Sequence, residues 1–146
     1  MSQTLPEFDL DGYVPFRFAV VAHQLSRDLA IRYKDRFGIS ITEWRVLVNI
    51  GYSGDVSIRD IERRVSLEKS KVSRAASRLE AAGYLSKCVD ESDRRLIKLA
   101  LTEKGTTLLA EIVPIAQAYQ AEVEALLGDK FEMLQELLGT LMDRAR

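Results

Sequence analysis

The chain has 146 residues and a mass of 16.5 kDa, enough for one domain or for one domain with an oligomerisation appendage. Apolar residues make up 47% and charged residues 29%, an ordinary globular balance, while a single cysteine (Cys88) and a single histidine (His23), 65 positions apart, exclude an intramolecular disulfide and a Cys/His zinc site. The net charge of −1 conceals a gradient: residues 1–56 hold 6 basic and 7 acidic side chains, 57–105 hold 12 and 8, and 106–146 hold 3 and 7, so the middle carries the positive charge expected of a polyanion-binding segment.

No apolar run reaches the ~20 residues of a membrane span. The opening MSQTLPEFDLDG lacks the basic-then-apolar pattern of a signal peptide, so a cytoplasmic setting is expected. No acid, base and nucleophile converge in the sequence. The expectation is a protein that is not an enzyme and needs no cofactor or metal.

The first twelve residues read as a loose arm. Pro15 suits the first turn of a helix, where its missing N–H costs nothing. Phe18, Val21, Ala22, Leu25, Leu29 and Tyr33 follow at steps of three and four, and Gly38 ends that helix. Ser40 and Glu43 form a capping box for a second helix, about 41–52. Ser57 and Asp60 form another, for a short helix to about Arg64, and a fourth helix covers roughly 68–82, up to Gly83. The period then changes. Tyr84–Val89 and Leu96–Leu101 read as antiparallel strands about the polar turn Asp90-Glu-Ser-Asp93. Thr102 caps a long helix to about Leu127, kinked by Pro114 and stopped by Gly128. Asp129 and Glu132 cap a last helix, striped by Phe131, Leu134, Leu138 and Leu141.

Two short helices about a tight turn at 65–67, followed by a hairpin, make a winged helix-turn-helix. The expected fold is mainly α, a winged helix-turn-helix with long N- and C-terminal dimerisation helices. The arm and first helix occupy 1–38, the DNA-binding lobe 39–101 and the C-terminal helices 102–146, all in one intertwined domain. Leu108, Leu109, Ile112, Val113, Ile115 and Val123 exceed what one small winged-helix core absorbs, which points to a second copy of the chain.

In a helix-turn-helix the second helix enters the major groove. Here Lys69, Ser70, Lys71, Ser73, Arg74 and Arg78 gather on that helix, with Val72, Ala75, Ala76 and Leu79 facing inward. The lysines suit phosphates, and Arg74 or Arg78 has the planar fork for a guanine edge. A solvated basic face is the plainer reading of such a run, and the serine-rich first turn and the alanine pair weigh against it. At the hairpin tip stand Asp93, Arg94 and Arg95. Asp93 can brace Arg95 by a bidentate pair and aim it into a narrow A·T-rich minor groove. A charged turn without a partner is the alternative.

These residues resemble the MarR (multiple antibiotic resistance regulator) family. The likeness rests on Ile41-Thr-Glu-Trp-Arg-Val-Leu47, Leu67-Glu-Lys-Ser-Lys-Val-Ser-Arg74 and Arg78-Leu-Glu-Ala-Ala-Gly-Tyr-Leu85. It extends to the wing signature, Asp93-Arg94-Arg95 followed by Leu101-Thr-Glu-Lys-Gly105, and covers about Phe16 to Met142. The resemblance implies a homodimer interlocked through both terminal regions. That dimer would bind a pseudo-palindromic DNA duplex whose half-sites lie roughly 34–36 Å apart. It makes Asp93 and Arg95 the wing pair and puts Lys69, Ser70, Lys71, Ser73, Arg74 and Arg78 on the recognition helix.

The resemblance also implies a transcription regulator, usually a repressor released by a small, often aromatic ligand. Arg17, His23, Arg27, Trp44 and Arg45 are candidate walls of a cleft between the first two helices and the fifth. Cys88, on the first wing strand, reads as an inert small hydrophobe. A winged-helix protein-interaction module that never touches DNA is the competing function. The basic 69–78 stretch and the wing tip argue against it, and a gel shift separates the two.

Overall fold

The computed structural model describes residues 2–54, 56–65 and 69–144 and, for Val65 and Lys69, the backbone alone. The expected turn residues Ser66 and Leu67, and Glu68 before the recognition helix, lie outside the described residues.

Helix α1 (Val14–Phe37) takes Pro15 in its first turn and ends where the Gly38 N–H reaches the Lys34 carbonyl. Helix α2 (Ile41–Ser53) opens on Ser40, whose hydroxyl oxygen accepts the Glu43 N–H at 3.1 Å and whose proton goes to the Glu43 carboxylate at 3.0 Å. At Ser57 the expected box closes in both directions. The Asp60 N–H reaches Ser57 Oγ at 3.1 Å and the Ser57 N–H reaches Asp60 Oδ2 at 3.0 Å, which holds the Asp60 carboxyl below its usual range. Helix α3 (Ile58–Val65) and helix α4 (Lys69–Ala81) follow.

The sheet has three strands, one more than the sequence suggests. β1 (Val56–Ser57) pairs antiparallel with β3 (Ile97–Leu101), Val56 facing Leu99 and Ser57 facing Lys98. β3 pairs on its other edge with β2 (Leu85–Val89), from Leu85 opposite Leu101 to Val89 opposite Ile97. Cys88 is exposed on that edge strand, so it packs as no hydrophobe.

Helix α5 (Glu103–Leu127) runs unbroken through Pro114. The expected cap at Asp129 is replaced by a single 3-10 turn, Gly128–Lys130, in which the Phe131 N–H bonds the Gly128 carbonyl. Helix α6 (Phe131–Arg144) is the last described element.

The core lies in the winged-helix lobe. Val46, Leu47 and Ile50 of α2, Ile61 of α3, Val72, Ala75, Ala76 and Leu79 of α4, and Leu85 and Leu99 of the sheet are all buried. So are Leu108, Leu109 and Ile112, which corrects the expectation that they are surplus. The return of β3 drives the first half of α5 beneath α2, and those three side chains close the lobe from below. The surplus lies on the outer helices instead. Tyr33 is the one buried residue of α1 and α6 has none, while Phe16, Phe18, Val21, Leu25, Met133, Leu137 and Leu141 are exposed on the single chain. Helix α1 meets α5 through polar contacts: Arg32 pairs with Glu122 and lies 4.6 Å over the Tyr119 ring, and the Tyr119 hydroxyl donates to Asp28 at 3.1 Å.

Candidate nucleic-acid interface

The position of α4 is fixed from its C-terminal end. Gly83 turns the chain there with φ of +85°, a conformation that L side chains rarely adopt. The start of α5 then closes on that turn. Thr102 Oγ1 accepts the Gly105 N–H at 3.1 Å and donates to the Gly83 carbonyl at 2.6 Å, and Lys104 Nζ donates to the Ala82 carbonyl at 2.7 Å. A Cβ on Gly105 would stand far inside contact distance of the Tyr84 carbonyl oxygen. The Leu-Thr-x-x-Gly run is therefore a corner. Leu101 ends the strand, Thr102 caps the helix, and Gly105 lets the helix lie against the Tyr84 backbone.

So anchored, α4 buries Val72, Ala75, Ala76 and Leu79 and turns Ser70, Lys71, Arg74, Ser77 and Arg78 outward, with Ser73 half-buried. Lys69 opens the helix, and its side chain lies outside the described residues. Lys71 and Arg74 enter no ion pair among the described residues. Arg78 differs: its Nε lies 3.3 Å from Glu43 Oε1 on α2. Ser77 accepts a hydrogen bond from Lys87 Nζ of β2 at 2.8 Å.

The wing tip is organised by carboxylates. Asp90 accepts from the Ser92 N–H (2.8 Å) and hydroxyl (2.6 Å), which hold its pKa below the usual range. Asp93 grips Arg95 by two parallel bonds, Nε to Oδ1 at 3.0 Å and Nη2 to Oδ2 at 3.2 Å, and its pKa is lowered chiefly by that guanidinium. Arg94 is exposed beside Val89, Asp90 and Glu91.

At the start of α2, Trp44 and Arg45 are half-buried against α1. The Trp44 ring lies 6.0 Å from the Tyr33 ring, and Arg45 Nη2 donates to Ser26 Oγ at 3.1 Å. Tyr33 is fully buried, yet its hydroxyl has no hydrogen-bond partner among the described residues, and burial pushes its pKa up to about 12. The structure does not bring Arg17 to this group. Arg17 lies sixteen residues up α1 from Tyr33, about 24 Å along the axis, in a hollow with Val14, Phe18, Val21 and Leu134. His23 and Arg27 are exposed on α1.

A family model described as "MarR family" matches residues 37–96, from the end of α1 through the wing. Those are 60 of the chain's 146 residues, and over them the chain is similar to the MarR family.

The curated relatives it matches are transcription regulators. It is 28% identical over 101 residues, 69% of its length, to the HTH-type transcriptional repressor MdtR of Bacillus subtilis, and spans 64% of that protein, just under two thirds. Among solved structures, NadR in complex with 4-hydroxyphenylacetate superposes with a TM-score of 0.80 at 21% identity, covering 94% of this chain and 97% of NadR. Bordetella bronchiseptica BpsR, whose DNA binding is regulated by 6-hydroxynicotinic acid, superposes with a TM-score of 0.79 at 20% identity, covering 94% of this chain and 98% of BpsR. At such identities the structural likeness carries the MarR winged-helix fold and nothing finer.

Sequence reasoning passed over two groups in this winged-helix lobe. Arg59, Arg63 and Arg64 are exposed on α3, opposite the buried Ile58 and Ile61. Arg59 also helps to hold down the Asp93 carboxyl, so it belongs to the same surface as the wing. The spacing of the three arginines against the two isoleucines was the signal. The second group is the Tyr33 hydroxyl, read as part of an apolar stripe.

Proposed function

We propose that this chain is a MarR-family regulator: a homodimeric, sequence-specific DNA-binding transcription regulator, a repressor released by a small aromatic ligand. The observation that carries the reading is Arg95. Its side chain is 83% exposed, yet the guanidinium is held at two points by Asp93. An arginine fixed in space and pointed at solvent is pre-organised for an anionic groove. In this reading Lys69, Ser70, Lys71, Ser73 and Arg74 enter the major groove, Arg94 and Arg95 reach the minor groove, and Asp93 acts as a brace. Arg59, Arg63 and Arg64 meet phosphates, as the first helix of the motif crosses the backbone. Residues 39–101 form the DNA-binding lobe, and 1–38 with 102–146 join two copies.

The ligand reading rests on the group beneath the lobe. A flat aromatic ring (Trp44), a guanidinium (Arg45) and an unpartnered buried hydroxyl (Tyr33) suit a small aromatic acid that also carries a hydroxyl. The ligands of NadR and BpsR are of that class. His23 and Arg27 are exposed on α1, and Arg17 would join this group only across a dimer. Repression follows MdtR.

The test is selection of a duplex from a random-sequence pool, followed by gel shift. Arg95→Ala is expected to weaken the selected complex roughly 5- to 150-fold per half-site, most on A·T-rich flanks. A chain that enriches no sequence supports the protein-interaction module instead. Trp44 is the single tryptophan, so its fluorescence reports ligand entry directly.

A further inference from the structure

We infer that Glu43 and Arg78 are a positioning pair that fixes the angle of the recognition helix, and that Arg78, basic and exposed as it is, does not contact DNA. The inference rests on the DNA-binding reading above and assigns a different task to one residue of the basic helix.

Glu43 is in place before Arg78 arrives. It lies in the first turn of α2, where its carboxylate faces the positive end of the helix, and only 14% of its side chain is exposed. The Ser40 hydroxyl donates to Oε1 at 3.0 Å, and Arg78 Nε approaches the same oxygen at 3.3 Å. A surface ion pair loses most of its worth to the entropy of ordering two long side chains. Here one partner is already ordered. If Arg78 swung away to reach a phosphate, it would leave a largely buried carboxylate with the serine hydroxyl alone.

The neighbouring contacts show why the pair matters for orientation. On one flank Arg78 ties α4 to α2, and on another Ser77 is tied to Lys87 of β2. At the end of the helix the Ala82 and Gly83 carbonyls are capped by Lys104 and Thr102 of α5. Residues 77–83 are thus bound to three separate elements. Among the described side chains of 70–74 no hydrogen bond or ion pair is made, and these are the N-terminal turns that a recognition helix offers to base edges. The helix divides its labour along its length. Its first half is free to bind, and its second half is held.

The experiment is a double-mutant cycle in the full chain with Glu43→Gln, Arg78→Ala and the pair together. Gln keeps the acceptor for Ser40 and drops only the charge. On a duplex selected by the wild-type protein, each single variant should weaken binding by the same factor, roughly two- to fivefold per protomer. The double variant should be no weaker than either single. None of the three should change the slope of log affinity against log salt. The proposal is overturned if Arg78→Ala flattens that slope by about 0.9 for each phosphate left without its cation, or if it relaxes one base position while Glu43→Gln binds normally. Amide exchange at residues 78–82, measured without DNA, supplies the second readout. Exchange should quicken equally in both single variants and no further in the double. Unchanged exchange in Arg78→Ala overturns the pair even if the wild-type chain selects no duplex, which would sink the DNA-binding reading separately.

Discussion

Tyr33 shows how a single residue can be costly where it stands. Its ring fills the junction of α1 and α2 against Trp44, and its hydroxyl is buried without a partner among the described residues. Removing an unsatisfied buried hydroxyl returns its desolvation cost, so Tyr33→Phe should stabilise the fold by roughly 1 kcal/mol near neutral pH. The same burial makes a pH prediction. The folded-state pKa is raised from 10.0 to about 12, so the unfolded chain releases the phenol proton first as pH rises. Stability is therefore full below about pH 10 and falls between pH 10 and pH 12. Urea titrations at pH 7 and pH 11 should show a larger fall in the wild type than in Tyr33→Phe, which keeps only the contribution of Tyr119, whose pKa burial also raises. A destabilised phenylalanine variant at pH 7 would mean that the hydroxyl is satisfied in the working molecule. At this scale the sequence was legible where partners are close along the chain. Asp93 and Arg95 are two residues apart, and their bidentate geometry follows from that spacing. Arg78 and Glu43 lie 35 residues apart, and no local pattern announces that one holds the other.

Among the elements, the corner from Gly83 to Gly105 does the most to set the geometry of the winged-helix lobe. It caps α4, starts α5 and ends β3 within a few residues. A methyl group at Gly105 meets backbone rather than a flexible side chain, so α5 must shift bodily. Gly105→Ala should cost at least about 1–3 kcal/mol, the range for overpacking a tight site, read as a lower urea midpoint. It should also lower affinity for the selected duplex, because the end of α4 moves with α5. An unchanged midpoint would show that the corner tolerates the shift. Capping signals were legible here because each is written within four residues, at Ser40, Ser57 and Thr102. β1 was not. Two residues carry no periodicity, and Val56 and Ser57 are a strand only because β3 lies beside them. The burial of Leu108, Leu109 and Ile112 in their own lobe was also hidden. Periodicity says which face of α5 is apolar, and not which neighbour covers it.

For the whole molecule, the question is what covers α1 and α6. Phe16, Phe18, Val21 and Leu25 on one helix, and Met133, Leu137 and Leu141 on the other, leave a single chain with more exposed apolar surface than its lobe accounts for. In the proposed dimer a second copy would cover both helices at once and set two basic lobes side by side, so that a chain of net charge −1 would offer DNA a basic face. The same proposal would put the acidic C-terminal helices away from the duplex, with the dimer contact. Sedimentation at micromolar concentration should give about twice the 16.5 kDa of the chain. Leu137→Glu places a charge in the middle of the exposed stripe of α6 and leaves the lobe core untouched. It should shift the mass toward one chain and abolish high-affinity binding to a two-half-site duplex, while a single half-site is bound as weakly by the variant as by the wild type. Because the basic cluster is presented twice, the wild-type salt slope should be about double that of the variant, each neutralised phosphate contributing about 0.9. If the wild-type chain sediments as a stable folded monomer, the apolar faces have another occupant. The two-fold arrangement on DNA would then have to be abandoned, although each lobe could still read a half-site alone.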